Sequence, residues 1–319
     1  MTYKYSLISL FAGVSGSSLG FKNTGRIKEH LAIDCDPYVE KCFKLNFPDI
    51  PLCNRPLDKS FSAQDILNIA NLKKGELEIL FASPPCQGFS MAKGSRNLLD
   101  VRNDLFLDTI NYINDISPLV FIIENVKGLI SGSMKLRFNQ IIDKIENIPY
   151  EYRYKILNAA DYGVPQLRER IFIIGVRKDI LRNGIKPTFP LPTKRDINNL
   201  AIKNYAFDID FFTSGQFANN IFTNNEVCRT ITATASMKFF KDGISRKPTI
   251  SEVKKLCSFP EEFKLWSNKE GINPKTKSEY SYNKQYRAIG NSVPPRLMQA
   301  VAETVIGEIL DPYYSTFKI

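Results

Sequence analysis

The 319-residue sequence predicts an α/β fold, a mainly parallel sheet covered by helices, with a smaller basic region before a C-terminal helix. Three observations carry this. Short apolar runs at Ser6–Phe11, Leu31–Ile33, Leu77–Ala82, Leu119–Ile123 and Ile171–Val176 lack strict alternation, as strands buried on both faces do. Helix-compatible stretches at Tyr38–Asn46, Asp104–Ile116 and Phe138–Ile148 lie between them, and strand–helix alternation indicates helical crossovers. After Lys178 the composition shifts to Asn, Thr, Phe and Lys.

The first run follows Lys4 and precedes small residues, so it could pass for a signal peptide. The recurrence of similar runs downstream favours a buried strand. It leads into Phe11-Ala12-Gly13-Val14-Ser15-Gly16, and glycines after a first strand let backbone approach a ligand where a helix opens. Asp34 closes the second strand, where a carboxylate can accept hydrogen bonds from ribose hydroxyls. Asp36-Pro37 beside it reads as a helix N-terminus. The next strand ends in Ser83-Pro84-Pro85-Cys86-Gln87-Gly88, on the sheet edge where ligands bind in such folds. Its prolines fix the backbone around Cys86 and so preorganise a nucleophile.

Glu124 follows five apolar residues and is costly to bury without a partner or a task. Gln166-Leu167-Arg168-Glu169-Arg170 precedes the last run, and can present a solvated face or aim guanidinium groups into a site. Thr249-Ile250-Ser251-Glu252 has capping-box spacing and predicts a short helix toward Ser258. Gly290-Asn291-Ser292-Val293-Pro294 forms a turn before a helix over Arg296–Leu310.

Charge and rare residues narrow the chemistry. The net charge is +10, and residues 179–287 carry 18 basic against 11 acidic residues, which marks that third as the nucleic-acid face. The six cysteines include no CxxC pair, which argues against a disulfide scaffold and a cysteine zinc site. Cys35, Cys42, Cys53, Cys228 and Cys257 read as inert core residues. With His30 as the single histidine, the chain has no histidine-ligated metal site, and no metal is expected. Any chemistry falls to Cys, Glu, Asp, Arg and Lys. No apolar run approaches the ~18 residues of a membrane span, so no membrane partner is expected.

Taken together, the motifs resemble the C5-cytosine DNA methyltransferases. The resemblance runs in order through FAGVSG, Asp34, Ala63-Gln64-Asp65-Ile66, SPPCQGFS, Arg102-Asn103-Asp104-Leu105-Phe106, ENV, NAADYGVPQLRER, the Thr249–Phe263 stretch and GNSV. It implies a Rossmann-like S-adenosylmethionine-dependent methyltransferase domain formed by residues 1–178 plus 288–319, with a target-recognition domain at 179–287. Arg229-Thr230-Ile231-Thr232 would be a scaffold under the recognition loops. The expected catalytic residues are Cys86, Glu124, Arg168 and Arg170: Cys86 adds to C6, Glu124 bonds the ring N3 and exocyclic amine, and Arg170 holds O2 with Arg168 supporting its loop. The cofactor, S-adenosylmethionine, leaves as S-adenosylhomocysteine, and its expected contacts are Phe11, Gly13, Gly16, Asp34, Asp65, Pro84, Asn291 and Val293. The expected partner is duplex DNA, bound by a cytoplasmic monomer of the restriction–modification type that flips its target base.

Two departures stand out: Ser15 occupies a position usually held by a third glycine, and Asp34 one commonly held by Glu. A transfer-RNA cytosine methyltransferase on the same fold is the nearer alternative. That branch carries a Cys-Phe-Thr signature, whereas Cys228 precedes Arg229 here and Cys257 precedes Ser258. The other alternative is a cofactor- and DNA-binding protein without turnover.

Overall fold

The structure, a computed structural model, describes residues 4–58, 60–85, 104–182, 184–193, 196–206, 208–214, 220–234, 236–267 and 277–316. Within the first half the elements are β1 (Tyr5–Leu10), α1 (Gly16–Asn23), β2 (Ile27–Ile33), α2 (Pro37–Asn46), β3 (Leu52–Cys53), α3 (Ala63–Ala70), β4 (Ile79–Ala82), α4 (Asp104–Ile116), β5 (Val120–Val126), α5 (Lys135–Glu146), β6 (Tyr150–Asn158), β7 (Gln166–Leu167) and β8 (Glu169–Arg177). A large sheet has the order β3-β2-β1-β4-β5-β8-β6. Pairing from β3 to β5 is parallel, and the sequential order reverses between β1 and β4. That reversal is a topological switch point, which opens a crevice at the carboxyl ends of those two strands.

Three local outcomes differ from the pattern reading. The strand expected at Leu31–Ile33 begins at Ile27, because its first half alternates buried and exposed residues and so breaks the apolar run. Glu124 lies inside β5, not beyond its end, opposite Phe172 of β8. β8 is antiparallel to both neighbours, a connection that needs no crossover helix.

Core side chains fill both faces of the sheet. One face packs Ile8, Leu80, Phe121 and Ile173 against Ile66, Ile113 and Ile141 of α3, α4 and α5. The other packs Leu7, Phe81 and Ile174 against a helix from the far end of the chain, α9 below.

The second half holds α6 (Ile197–Leu200), β9 (Phe211–Ser214), β10 (Asn220–Thr223), β11 (Cys228–Arg229), β12 (Lys238–Lys241), β13 (Ile244–Arg246), α7 (Ile250–Leu256), α8 (Lys277–Asn291), α9 (Pro295–Val305) and α10 (Asp311–Ser315), with a π-helical turn over Ile306–Leu310. The helix expected over Arg296–Leu310 is therefore α9 plus that turn. The capping box at Thr249 forms with both reciprocal bonds and starts α7. Strands β10-β9-β12-β13 make an antiparallel sheet whose Phe212 and Phe239 share a core with Phe43 and Phe47 of α2. The boundary expected between residues 287 and 288 falls inside α8, which continues through it because Tyr286 and Ile289 both belong to that shared core.

A polar clamp lies at the amino-terminal ends of β1 and β2. Arg26 donates to both oxygens of Asp311, at 2.8 and 2.6 Å, and the Tyr5 hydroxyl and Lys4 ammonium donate to the same carboxylate. The Arg26 bonds above all hold the Asp311 carboxyl well below the usual range. A carboxylate depressed on folding adds stability above its unfolded pKa of about 4, and loses it as pH falls further. Asp311→Asn should therefore lower the melting temperature at pH 7, with the gap from wild type closing progressively below pH ~4. Thermal melts across that range measure it, and a gap independent of pH would refute the clamp.

Candidate active site

The crevice at the switch point is walled by the segment after β1 and the turn after α8. Phe11, Gly13, Ser17, Ser83, Asn291 and Val293 are among the residues lining it. The β1 segment is tightly wound: Phe11, Gly13 and Ser15 have φ of 56°, 55° and 72°. Ser15, where the resemblance leads one to expect glycine, thus sits in the left-handed region at a cost of ~1–2 kcal/mol, and it is fully buried. Gly16 is dictated by proximity. Its amide donates to Ser292 Oγ at 3.1 Å, and a Cβ there would fall 2.2 Å from the Val293 carbonyl oxygen.

Asp34 stands just beyond β2 and braces this segment. One carboxylate oxygen accepts from the Gly13 amide and the other from the Asp36 amide, both at 2.9 Å. Burial pushes its carboxyl up, while those amides pull the other way. Four expected cofactor residues, Gly16, Asp34, Asp65 and Pro84, are not among the lining residues. Asp65 is exposed and completes the capping box of α3 with Ser62. The Pro84 carbonyl accepts from Asn125 Nδ2 at 3.0 Å.

Beside the crevice lies a buried carboxylate. Glu124 is 4% exposed. Its Oε2 accepts from Ser83 Oγ at 2.6 Å, and its Oε1 lies 3.1 Å from Arg170 Nε. The strand alternation of β8 and its antiparallel register with β5 bring Arg170 to this point. Ser83 and Asn125 thus make two cross-links between the end of β4 and β5, and they hold the chain that leads to Cys86. Cys86 itself, with Arg102 and Asn103, lies outside the described residues. Ser83 and Asn125 belong to motifs legible in the sequence, but no local signal distinguishes their roles.

Arg168, grouped with the expected catalytic residues as the support of the Arg170 loop, is 1% exposed and bonds backbone carbonyls. Nη1 donates to the Ile231 carbonyl at 3.0 Å, and Nη2 to those of Gly290 and Ser292 at 2.9 Å each. Burial and the neighbouring Arg170 draw its pKa down to about 9, which leaves it charged at neutral pH. Gln166 works in parallel, accepting from the Ile231 amide at 3.1 Å and donating to the Leu256 carbonyl at 3.1 Å. The cysteine reading also changes. Cys42, Cys228 and Cys257 are buried and Cys53 is half-buried against the core, but Cys35, in the segment between β2 and α2, is exposed. Among the described residues no cluster of His, Cys, Asp or Glu could hold a metal ion, and no helix is long and apolar enough to cross a membrane.

Comparisons place this geometry among known proteins. A family model described as C-5 cytosine-specific DNA methylase matches residues 5–235 and 211–307. Type II methyltransferase M.SsoII of Shigella sonnei is 30% identical over 334 residues, covering 96% of this chain and 81% of that protein. Type II methyltransferase M.BsuRI of Bacillus subtilis is 31% identical over 354 residues, covering 95% and 80%. Among solved structures, a mutant of Spodoptera frugiperda DNMT2 superposes with a TM-score of 0.70 at 19% identity, over 95% of this chain and all of that one. The Entamoeba histolytica methyltransferase EhMeth gives 0.61 at 18% identity, over 98% and 99%.

The Arg168 clamp has a measurable consequence. Arg168→Lys keeps the charge but loses the planar fork, so three buried carbonyls cannot all stay bonded. Unfolding free energy should fall by ~2–4 kcal/mol, the scale of losing buried charge-assisted bonds. Urea denaturation measures this, and a midpoint equal to wild type would show the clamp to be dispensable.

Proposed function

Since the chain belongs to the C-5 cytosine-specific DNA methylase family, whose members methylate cytosine C5 in DNA with S-adenosylmethionine, we propose that it does so through a bond from Cys86 to C6 of a flipped-out cytosine. The observation that carries this reading is Glu124, a buried carboxylate held by Arg170 and Ser83 on the chain leading to Cys86. The Type II designation of the relatives supports a role in restriction–modification.

The crevice suits the cofactor. Gly16 lets the Ser292–Val293 turn close against the β1 segment, Asp34 offers acceptor oxygens beside the crevice, and the walls mix apolar and polar groups. Phe11, Gly13, Asn291 and Val293 would hold S-adenosylmethionine there, with Asp34 toward its ribose. When bound, it supplies an electrophilic methyl group.

The remaining chemistry belongs to the chain. Cytosine C5 is a poor nucleophile, and addition of the Cys86 thiolate to C6 turns C5 into an enamine-like carbon that can accept the methyl. Glu124 accepts from the exocyclic amine, and from N3 once that nitrogen is protonated as charge moves onto the ring, while Arg170 holds O2. The C5 proton then leaves to water, the C6–sulfur bond breaks, and the aromatic ring is restored. No histidine base is at hand in this motif, so the thiolate must come from local dipoles or a nearby arginine. A stacked duplex hides these atoms, so the base must leave the helix. The excess positive charge of residues 179–287 supports a DNA-recognition role for that segment.

Fluorine at the target C5 tests the covalent step. Addition and methylation proceed, but there is no proton to lose, so wild-type protein should stay bonded to DNA through denaturing electrophoresis when S-adenosylmethionine is present. Cys86→Ser should abolish the adduct, Glu124→Gln should slow it, and the exposed Cys35→Ser should leave it intact. A wild-type enzyme that methylates ordinary DNA yet never forms the adduct would refute Cys86 as nucleophile.

Asp34→Ala should weaken S-adenosylmethionine binding by ~1–3 kcal/mol, the scale of a lost charge-assisted hydrogen bond, and spare DNA binding without cofactor. Calorimetry giving equal affinities for mutant and wild type would restrict Asp34 to bracing the Gly13 segment.

A further inference from the structure

We propose that Ser83 is a positioning residue that holds the Glu124 carboxylate in its working orientation; this rests on Glu124 being the group that bonds the target cytosine. Ser83 is the first residue beyond β4, and its amide donates to the Leu10 carbonyl at 3.3 Å, so its backbone is fixed between the ends of β1 and β4. The next residue is fixed as well, by the bond from Asn125 to the Pro84 carbonyl. A hydroxyl anchored on both sides meets Glu124 Oε2 at 2.6 Å.

The donor in this bond is the Ser83 hydroxyl, which gives its one proton to Glu124 Oε2. A separation of 2.6 Å lies in the range of O–H···O⁻ bonds, which are about twice as strong as neutral ones. Arg170 occupies the other oxygen at 3.1 Å, so the carboxylate is gripped at both ends before any base arrives. A group aimed in advance at developing charge needs no reorganisation during the reaction. Ser83 also lines the cofactor crevice, so it touches both halves of the site. With its proton given to Glu124, the oxygen can only accept from the crevice side, which suits a donor on the bound cofactor.

The test uses the full chain, duplex DNA and S-adenosylmethionine, with Ser83→Ala and Ser83→Thr made alone and with Glu124→Gln. Ser83→Ala should lower kcat about tenfold, as expected for one charge-assisted bond, while KM for S-adenosylmethionine moves less than about threefold. Ser83→Thr should recover most of the loss, because it restores a hydroxyl. In the Glu124→Gln background Ser83→Ala should cost nothing more, since both changes remove the same interaction. A residue that only shapes the crevice wall would raise KM, would not be rescued by threonine for its hydroxyl, and would add its loss to that of Glu124→Gln; any of these results overturns the proposal. If Glu124→Gln alone left kcat unchanged, the reading of the site itself would fall, an outcome separate from Ser83→Ala failing beside an impaired Glu124→Gln.

Discussion

The structure depends on one buried cation. Arg168 stands between β7 and β8, and its guanidinium reaches three carbonyls from segments far apart in the chain, at Ile231, Gly290 and Ser292. A charge taken out of water is tolerated only when its donors are spent on good acceptors, and a planar fork can serve several at once. The three carbonyls belong to the strand region beneath the basic lobe and to the turn that walls the crevice. One side chain therefore ties β8, which presents Arg170, to the Ile231 segment and to the turn that walls the crevice.

The crevice is assembled from both ends of the sequence for the same reason. Gly16 lies so close to Val293 that no side chain fits between them, and α1 packs along α9 through Gly20, where a Cβ would come within 2.6 Å of Met298 Cβ. The Asp311 clamp binds the C-terminal helix to the starts of β1 and β2, at the opposite ends of the strands from the crevice. The final helices thus pack on the large sheet, and the small sheet of the basic lobe shares a core with α2 and α8 through Phe43, Phe212 and Tyr286. Phe11 and Ser15, two of the left-handed non-glycine residues, hold the crevice segment against its own backbone preference.

Both chemical centres converge at the ends of β4 and β5. Ser83, Pro84, Glu124 and Asn125 exchange two hydrogen bonds there, so the chain toward Cys86, the carboxylate and the crevice wall form one rigid unit. Rigid positioning is what differential stabilisation of a transition state requires.

The sequence alone determined the α/β class, the glycine segment after β1, the acid after β2, the Thr249 capping box and the motif set that marks the family. Those are local: an apolar run, a glycine or a cap carries its physical meaning within a few residues. The sequence could not separate Arg168 from Arg170, because both are arginines two residues apart and their roles depend on what lies opposite. One meets carbonyls more than 60 residues away, and the other meets Glu124. It could not show that Ser83 reaches a carboxylate 41 residues later, that β8 runs antiparallel, or that α8 bridges the expected domain boundary. An apolar run reads the same in either direction, and a hydroxyl has no partner until the chain folds back. Tertiary packing chose the partners, and the partners assigned the roles.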